Sequence, residues 1–347
     1  MRLPLVILPL LITGCATPQP VMSSLPTASI QAKVETQPVG TLDDAADDPA
    51  IWRNAERPEA SLIVATDKKA GIHVYDLKGG ALGFTPAPRL NNVDLRDGVM
   101  IGGQRGVIVA ASDRLDIMNA KIMLFRLDTS AQKLVSLGAV PVGPGEAYGM
   151  CLWNRRSDNA LFGFVVMKDG RIDQVALDLS GAQPTGRVVR RMKLGTQSEG
   201  CVVDDRTGQL YVAEEDVGLW RFGADPSAPT QAIPITKADG TELVIDVEGL
   251  AIAAMGADGG YLVASSQGDN AYAIYRLPDL GYVGRFRLGD GGVDGTQETD
   301  GIELILGDFG PDFRSGLFVA QDGNNAPDTQ NFKLADWGDV IRALELK

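Results

Sequence analysis

One pattern, repeated six times along the chain, constrains the fold more than any other feature of this sequence. Each copy contains a short apolar segment, a polar or charged turn and a second, amphipathic segment. The copies are LIVATDKKAGIHVYDL from Leu62, VIVAASDRLDIMNAKIMLFRLD from Val107, LFGFVVMKDGRIDQVALDL from Leu161, LYVAEEDVGLWRF from Leu210, YLVASSQGDNAYAIYRL from Tyr261 and LFVAQDGNNAPDTQNFKLADW from Leu317. Successive copies start 45, 54, 49, 51 and 56 residues apart. Such spacing is typical of a chain built from repeated structural units.

Strand-rich units of about 50 residues predict an all-β fold, a six-bladed β-propeller in which each unit forms one blade of about four strands. Closing the blades into a ring removes free sheet edges. Two stacked β-sandwiches are the alternative, but they do not explain why polar residues fall at the same point of every copy. In a propeller those equivalent positions lie on one face around the axis, so we expect the polar residues to converge on a single rim.

The first 15 residues differ in character from the rest. MRLPLVILPLLITGC combines one arginine, an apolar run and a Leu-x-x-Gly-Cys ending. The run is too short to anchor stably across a bilayer and predicts a secretion signal. Its ending is similar to a bacterial lipobox, which would make Cys15 the lipidated first residue of the mature protein; an ordinary signal peptide cut nearby is the alternative.

The domain prediction follows from these two features. We predict a lipoprotein-type signal peptide over 1–15, a flexible Pro/Ser/Thr-rich tether over 16–34 and one propeller domain over 35–347. The protein is then exported, as an outer-membrane lipoprotein or as a periplasmic or extracellular protein. Two cysteines, Cys151 and Cys201, remain in the mature chain. An oxidising compartment would allow them to pair, and the sequence leaves open whether they do.

The charge of the chain limits its partners. The 32 basic and 45 acidic residues give a net charge of -13. Such a surface repels nucleic acid and anionic membranes. We therefore expect no nucleic-acid partner, membrane attachment only through a lipid on Cys15, and a monomer. An anionic substrate would need cations to mediate its binding.

Acidic side chains are concentrated near the predicted rim. The stretch DDAADDPAIW places four aspartates in six positions, and DVEGL places Asp246 and Glu248 on one side of a strand. Carboxylates held together raise each other's pKa unless a cation neutralises them. Calcium binds about 6–8 oxygen ligands in irregular geometry, and these residues supply oxygens. Zinc is disfavoured because His73 is the one histidine of the sequence.

Four basic residues follow the repeated strands: Lys68, Lys69, Arg114 and Lys168. Lysine binds phosphate as a point charge, and arginine binds it through two parallel donors. Salt bridges to neighbouring acids are the alternative role. Basic residues beside a calcium site indicate a substrate rich in phosphate.

Short motifs occur in every predicted blade: DDPAIW, TDKKAGIHVYDL, NNVDLR, EAYGMCLW, EGCVVDD, LYVAEEDVGLW, DVEGLAI, SSQGDNAYAIY, ETDGIE, LFVAQDG and NFKLADW. In these motifs the chain resembles the β-propeller phytases, from about Glu35 to Trp337. The resemblance implies a 3-phytase that needs several Ca²⁺ ions. Its substrates would be phytate (myo-inositol hexakisphosphate) and other inositol polyphosphates. Phosphate would leave by direct attack of a metal-bound water, without a covalent enzyme intermediate.

The resemblance also implies roles for individual residues. The calcium-binding acids would be Glu35, Asp47, Asp48, Glu199, Glu215, Asp246 and Glu248, with Gln267 and the Tyr148 hydroxyl nearby. Tightly held structural calcium would be bound by Asp294, Asp300, Asp322 and Asn324. Phosphate would contact Lys68, Lys69, Arg114 and Lys168. The catalytic group would be Asp48, Glu215, Lys68 and Arg114. Glu215 is the first candidate for a general base, and a role as a calcium ligand alone is the alternative.

Three residues and one turn depart from these roles or from the family pattern. Asp43 and Asp44 are expected to be plain surface acids. Asp113 stands where the family pattern has asparagine, which alters the charge beside Arg114. The turn LDIMNAK in the second repeat replaces a usually polar loop.

Two other functions fit a six-bladed propeller. A calcium-dependent lactonase or organophosphate hydrolase predicts one central Ca²⁺, an apolar pocket and no Lys/Arg cluster. A non-catalytic binding module predicts exposed aromatic loops. The basic residues of the rim favour the phosphate-directed function over both.

Overall fold

The computed structural model describes residues 22–87 and 89–347. The predicted signal peptide, including Cys15, lies outside the described residues. The secondary-structure elements in chain order are β1 (Thr27–Gln31), β2 (Val34–Glu35), β3 (Ala46–Trp52), β4 (Leu62–Asp67), β5 (Gly71–Asp76), β6 (Ala81–Pro86), β7 (Leu90–Ile101), β8 (Gln104–Asp113), β9 (Ala120–Asp128), β10 (Lys133–Gly143), β11 (Ala147–Arg155), β12 (Ala160–Met167), β13 (Arg171–Asp178), β14 (Thr185–Lys193), β15 (Ser198–Asp204), β16 (Gln209–Glu214), β17 (Gly218–Gly223), β18 (Ile233–Lys237), β19 (Val247–Met255), β20 (Gly259–Ser266), β21 (Ala271–Leu277), β22 (Gly281–Gly289), β23 (Ile302–Leu306), β24 (Gly316–Asp322), β25 (Asn331–Asp336) and the helix α1 (Trp337–Ala343), with short 3₁₀ turns at Pro58–Ala60 and Gln267–Asp269. None of the helices in this part of the chain is both long and apolar enough to cross a bilayer.

The strands form six sheets arranged as the blades of a propeller. Blades one to five each take four consecutive strands, beginning with β3-β4-β5-β6 from the axis outward. The inner strands β3, β7, β11, β15, β19 and β23 each contact the inner strand of the next blade, and β23 contacts β3. The ring is therefore closed, and the predicted six-bladed propeller is confirmed.

The N-terminal strands close the ring, which the sequence did not predict. In the sixth blade β2 pairs with β25 and becomes the outer strand, with Glu35 opposite Lys333. In the fifth blade β1 pairs in parallel with β22, with Thr27 opposite Arg285. The chain thus joins the fold at Thr27, within the predicted tether over 16–34, because its backbone groups cover two blade edges.

The apolar character of the repeated strand follows from its position. The second strand β4 is buried along its whole length, because neighbouring blades cover both of its faces. The outer strand β6 has no such cover and alternates between exposed and half-buried residues. Each interface between neighbouring blades holds its own apolar cluster, as Val64 and Val109 show between blades one and two. Packing between blades therefore holds the ring together.

A disulfide joins two of the inner strands. Cys151 of β11 and Cys201 of β15 are bonded, with their Cα atoms 5.8 Å apart. The bond links the third and fourth blades directly beneath two site-bearing strand ends. The pairing that the sequence left open is thus formed.

Candidate functional site

One end of the propeller, here called the rim, is where the inner strands begin and the second strands end. In blades one to five, the residue that follows the second strand donates its backbone N–H to a carbonyl just before the inner strand or at its start. These bonds span 2.7 Å for Lys68 to Ala45 and 3.1 Å for Glu215 to Gln197. In the sixth blade Gln321, which still lies within β24, donates its N–H to the carbonyl of Gly301 just before the inner strand. The equivalent residues of the six blades are thus Lys68, Arg114, Lys168, Glu215, Gln267 and Gln321. The polar residues of the repeats therefore lie around one rim, as the sequence predicts.

Irregular pairing at the start of the inner strands directs further side chains toward the axis. The register between inner and second strands shifts in five blades, for example between Ala46 and Pro49 and between Ser198 and Cys201. Such bulges re-aim side chains, and they often occur beside active sites. The residues within the shifts are Asp47, Asp48, Asn91, Asn92, Tyr148, Glu199, Gly200, Glu248 and Gly249.

Glycine allows the inner strands to approach one another at this level. A Cβ on Gly149 would lie 1.9 Å from the carbonyl oxygen of Glu199, and one on Gly200 would lie 2.1 Å from that of Glu248. Any side chain at these positions would push the strands apart. The dipeptides Tyr-Gly, Glu-Gly, Glu-Gly and Asp-Gly at successive strand starts are the sequence signal for this packing, which our sequence analysis did not use.

Three buried glutamates form the centre of the rim. Glu199, Glu215 and Glu248 each place one carboxylate oxygen within 4.8 Å of the others. One oxygen of Glu215 and one of Glu248 have no hydrogen-bond partner. Beside them Asp47 is only 1% exposed, and neither of its carboxylate oxygens accepts a hydrogen bond. Unpartnered buried carboxylates are costly unless a cation binds them.

Burial and mutual repulsion change the acidity of these groups. Desolvation, followed by the charge of Asp47, raises the pKa of Glu199 well above its usual value. Desolvation and the charge of Glu199 do the same for the pKa of Glu248. Desolvation raises the pKa of Glu215 to about 7. A bound cation would favour the ionised forms and offset this repulsion.

Basic side chains occupy the rim beside the carboxylates. The Lys68 ammonium lies 2.7 Å from Asp44 and 3.1 Å from Asp300. Although burial lowers the pKa of Lys68, the charges of Asp47, Asp300 and Asp44 raise it above its usual value. Lys68 therefore remains protonated across the neutral range.

An aromatic ring holds the other two basic groups. The Arg114 guanidinium lies 5.2 Å from the centre of the Tyr148 ring, and the Lys168 ammonium lies 4.7 Å from it. Arg114 also lies 3.2 Å from Glu146. Cations over an aromatic face are attracted to it, so Tyr148 brings the two positive charges together. Desolvation, and then the charge of Glu199, raise the pKa of the Tyr148 hydroxyl.

Asp48 is directed away from the glutamate trio, although it follows Asp47 directly. Its carboxylate accepts a hydrogen bond from the Val93 backbone N–H at 3.0 Å. With Asp94 and Glu303 it lines a cavity of about 360 Å³ between the inner strands. Desolvation, and then the charge of Asp47, raise the pKa of Asp48 well above its usual value. Asp48 thus lies between the rim and this cavity.

A second group of acids, here called the Lys333 cluster, lies at the rim of the sixth blade. The Lys333 ammonium is fully buried and lies 2.5 Å from Glu35 and 3.3 Å from Asp322, and it also pairs with Asp294. It donates to the Asn325 side-chain oxygen at 3.1 Å. The cluster therefore contains a positive charge of its own. This charge compensates part of the negative charge that, by the resemblance, calcium would neutralise.

The structure changes the grouping of two predicted ligands. Glu35, predicted with Asp47 and Asp48, lies in the Lys333 cluster because β2 pairs with β25. Asp300, predicted with the structural calcium ligands, lies instead beside Lys68 and accepts a hydrogen bond from Gln267 at 2.6 Å. Burial raises its pKa to about 7. Pairing of the N-terminal strand within the sixth blade decides the place of Glu35, and contacts across blade boundaries decide that of Asp300.

The remaining predicted residues lie at the edges of these groups. Asp246 is half-buried beside Glu215, and its carbonyl accepts from the Gln267 N–H at 2.9 Å. Lys69 donates to the Leu42 carbonyl at 2.8 Å and is partly exposed. Asn324 donates its backbone N–H to Asp322 in the Lys333 cluster.

Three residues that sequence reasoning did not assign to the site contact it. Asn91 donates to Glu199 at 2.8 Å, and the doublet NN at the strand start was an available signal. Asp44, expected to be a plain surface acid, instead pairs with Lys68. Glu146 pairs with Arg114. The two acids carried no local signal, since their partners come from other segments.

Comparisons with known proteins agree with this geometry. A protein-family model described as "Phytase" matches residues 3–347. The chain is 40% identical over 326 residues to a protein named "3-phytase" from Bacillus subtilis (strain 168), which covers 91% of this chain and 85% of that protein. A solved structure titled "Crystal Structure of Mitotic Checkpoint Complex" is 14% identical, with a TM-score of 0.48 over 94% of this chain and 88% of its own. A likeness this weak supports no conclusion.

Proposed function

Because the chain belongs to the phytase family, we propose that it hydrolyses the phosphate monoesters of phytate as a calcium-dependent 3-phytase. The observation that carries this proposal is the buried group of unpartnered carboxylates beside Lys68, Arg114 and Lys168. Such a site binds a metal cation and a phosphate side by side. A lactonase needs no comparable cluster of bases. Among the described residues, the exposed large apolar side chains include one aromatic, Phe84, which lies in the outer strand β6 and not in a loop.

The donor set supports calcium as the metal. Asp47, Glu199, Glu215 and Glu248 offer oxygen atoms only, which calcium accepts in large number and varied geometry. The one histidine of the sequence, His73, lies within β5 and packs against Phe84 at 4.6 Å between ring centres. A histidine-based zinc site is therefore not available here.

The side chains of this protein divide the work on the substrate. When bound, calcium would add positive charge where the phosphate oxygens gather negative charge. Lys68, Arg114 and Lys168 hold the phosphate oxygens through charge-assisted hydrogen bonds. Glu215, which has one carboxylate oxygen without a hydrogen-bond partner, would accept the proton of an attacking water.

A second phosphate of the same substrate would strengthen binding. The basic residues span blades one to three, and Lys69 adds a more exposed positive charge outside Lys68. Two phosphates of one inositol ring can then bind at the same time, one to the inner basic residues and one to Lys69. The site would then favour multiply phosphorylated substrates over simple monoesters.

Phosphate release from phytate at graded free calcium tests the proposal. We expect release to rise with calcium, to stop with a chelator and to return when calcium is restored. A simple monoester and a lactone serve as comparison substrates. Full phytate turnover with calcium chelated would overturn the proposal, as would equal turnover of the lactone.

The location of the protein is part of the same proposal. A signal over 1–15 and lipid attachment at Cys15 would export the chain and hold it at a membrane. Formation of the Cys151–Cys201 disulfide is in keeping with an oxidising compartment. Labelled fatty acid should be incorporated into the full chain and not into Cys15→Ala; incorporation into both would contradict lipidation at Cys15. We expect a monomer, which light scattering at several concentrations would check.

A further inference from the structure

Exposed aliphatic side chains surround the rim site. Four of them lie within two residues of a residue already placed at or beside the site: Leu115 follows Arg114, Val217 follows Glu215 at two positions, Ile245 precedes Asp246, and Leu42 precedes Asp44 at two positions and accepts from Lys69 through its carbonyl. Ile117 and Met118 lie in the turn that follows Leu115. These residues, here called the apolar collar, are Leu42 (72% exposed), Leu115 (62%), Ile117 (56%), Met118 (72%), Val217 (36%) and Ile245 (38%). The site is thus a charged centre inside an apolar border.

The most exposed part of the collar is held in a fixed turn. The Leu115 backbone N–H donates to Asp113 at 2.9 Å, and the Met118 N–H donates to Asp116 at 2.9 Å. The Ile117 carbonyl accepts from Gly145 at 2.7 Å. A turn ordered in this way presents its three apolar side chains to solvent, and contiguous apolar exposure indicates a surface that binds something apolar.

Phytate leaves the collar without a function. Its surface consists of phosphate groups on a hydroxylated ring, which bind charged and hydrogen-bonding groups. Side chains such as Leu115, Ile117 and Met118 gain nothing from contact with it. A ligand that carries phosphate next to hydrocarbon would use the centre and the collar together.

The position of the N-terminal segment indicates which ligand this is. Ser23 donates its hydroxyl to the Thr241 carbonyl at 2.5 Å, in the segment that leads into Ile245 at the rim. The predicted signal ends at Cys15, so residues 16–22 span on the order of 25 Å when extended. A chain held to a bilayer at that point would have its rim within reach of the lipid.

Charge decides how such contact is possible. The protein carries a net charge of -13, and exposed acids such as Asp43 and Asp116 stand within the collar. These charges oppose binding to an anionic bilayer. Calcium shared between the rim carboxylates and lipid phosphates would reverse that sign locally, while Lys68 and Arg114 would accept the phosphate.

From these observations we propose that the rim docks on a bilayer whose lipids carry phosphate monoester headgroups. The headgroup phosphate enters the charged centre, and the apolar collar enters the boundary between headgroups and acyl chains. The inference rests on the proposed calcium and phosphate site, and it adds phosphate-bearing lipids to the ligands of that site.

Co-sedimentation of the full chain with vesicles tests the inference. The probes are phosphatidylcholine vesicles, alone or mixed with phosphatidate or with phosphatidylglycerol, each with calcium or a chelator. Phosphatidylglycerol is anionic but carries no phosphate monoester. We expect calcium-dependent binding that is strongest with phosphatidate and is inhibited by soluble phytate.

Matched variants locate the contact. Leu115→Ser, Ile117→Ser and Met118→Ser combined should weaken the calcium-dependent binding about tenfold while phytate hydrolysis stays unchanged. The control combines Met100→Ser with Met255→Ser, at exposed apolar residues of the opposite end of the propeller. It should change neither vesicle binding nor phytate hydrolysis. The predicted signal is present in every variant, so its own affinity for lipid cancels.

Several results would overturn the docking surface. These are a collar-dependent part of the binding that is equal on phosphatidylglycerol or survives chelation, a collar variant that binds as the parent does, or a collar variant that instead dissociates a dimer in solution. Phytate hydrolysis by the same preparations separates the two proposals. Turnover without vesicle binding removes only the docking surface, whereas absence of turnover removes the calcium and phosphate site.

Discussion

Two groups of acids lie at the same rim, and their negative charges are compensated differently. The Lys333 cluster places a fully buried ammonium among Glu35, Asp294 and Asp322. The glutamate trio of Glu199, Glu215 and Glu248 forms no ion pair within the described residues, and some of its oxygens have no partner.

The difference between the groups indicates what each is for. A cluster that contains its own lysine has part of its negative charge compensated as soon as the chain folds, so it stabilises the closure of the sixth blade by β2. A cluster left with unpaired negative charge is less stable alone and gains stability from a bound cation. The trio thus lowers the stability of the cation-free fold, and it does so at the place where the cation is proposed to bind.

Removing one carboxylate of the trio should produce the largest change. Glu248→Gln keeps the shape but removes a calcium ligand, and we expect phosphate release from phytate to fall by at least about 100-fold. Without calcium the same variant should be more stable than the parent, because a buried unpaired charge is gone. Steady-state kinetics and thermal unfolding with a chelator measure both effects.

The control applies the same exchange to an exposed rim acid. Glu298→Gln should leave both activity and stability close to those of the parent, since Glu298 is exposed. If Glu248→Gln retained full activity, or lost stability in the chelator, the contrast between the two acidic groups would not hold.

Removing the ammonium of the Lys333 cluster should have the opposite effect on stability. Lys333→Met leaves the fully buried Asp322 without its cation, whereas Glu35 and Asp294 are partly exposed and can be solvated. We expect a loss near the lower end of the range of about 3–5 kcal/mol for breaking a buried ion pair. Denaturant unfolding measures this loss. Lys193→Met, which removes a partly exposed partner of Asp169, should change stability by less than about 1 kcal/mol. Equal effects of the two variants would show that Lys333 is not needed.

The sequence predicts the blades better than the contacts between them. Apolar runs at regular spacing, as in β4, predict a buried second strand because both faces are covered in every blade. The position after that strand also predicts that Lys68 and Glu215 share a rim. These are local patterns, repeated six times, so each copy supports the others.

Contacts between distant segments are not encoded locally. The partner of β1 is β22, about 260 residues later in the chain, and the short, mixed sequence of β1 resembles a tether. Glu35 and Asp300 lie in groups other than those predicted, because the contacts of both are with residues distant in sequence, Lys333 for Glu35 and Lys68 for Asp300. Asp48 follows Asp47 directly, yet the irregular pairing at the start of β3 directs its side chain to the cavity between the inner strands. A sequence pattern does not show this.

The pH dependence of stability should also distinguish the two groups. In the folded chain the pKa of Glu215 and that of Asp300 are raised to about 7. A raised carboxyl pKa gives stability that is complete below the unfolded pKa and is lost as pH rises through about 7. We therefore expect the melting temperature of the calcium-free protein to fall between about pH 5 and about pH 8.

Calcium should reverse this slope, because the ligands must be ionised to bind it. Glu215→Gln should flatten the slope of the calcium-free protein. Lys333→Met should lower stability more as pH rises, because without the ammonium the pKa of the buried Asp322, already raised by burial, rises further. A rising slope in the chelator would mean that the trio is not protonated in the folded chain.

Tyr148 offers the smallest and finest test, because its ring and its hydroxyl belong to different parts of the site. Tyr148→Leu removes the surface on which Arg114 and Lys168 rest. Loss of cation–π contacts of this kind should raise the KM for phytate about threefold to tenfold. Tyr148→Phe keeps the ring, so its KM should stay near that of the parent.

The two Tyr148 variants also separate the phosphate and calcium functions. If the hydroxyl contributes to the calcium site, Tyr148→Phe should need more free calcium for half-maximal activity, while Tyr148→Leu changes both the calcium requirement and KM. Kinetics in two dimensions, with calcium and phytate varied independently, distinguish these outcomes. Equal KM values for Tyr148→Phe and Tyr148→Leu would show that groups other than Arg114 and Lys168 contact the phosphate. The comparison with the Lys333 cluster would then account for the glutamate trio alone.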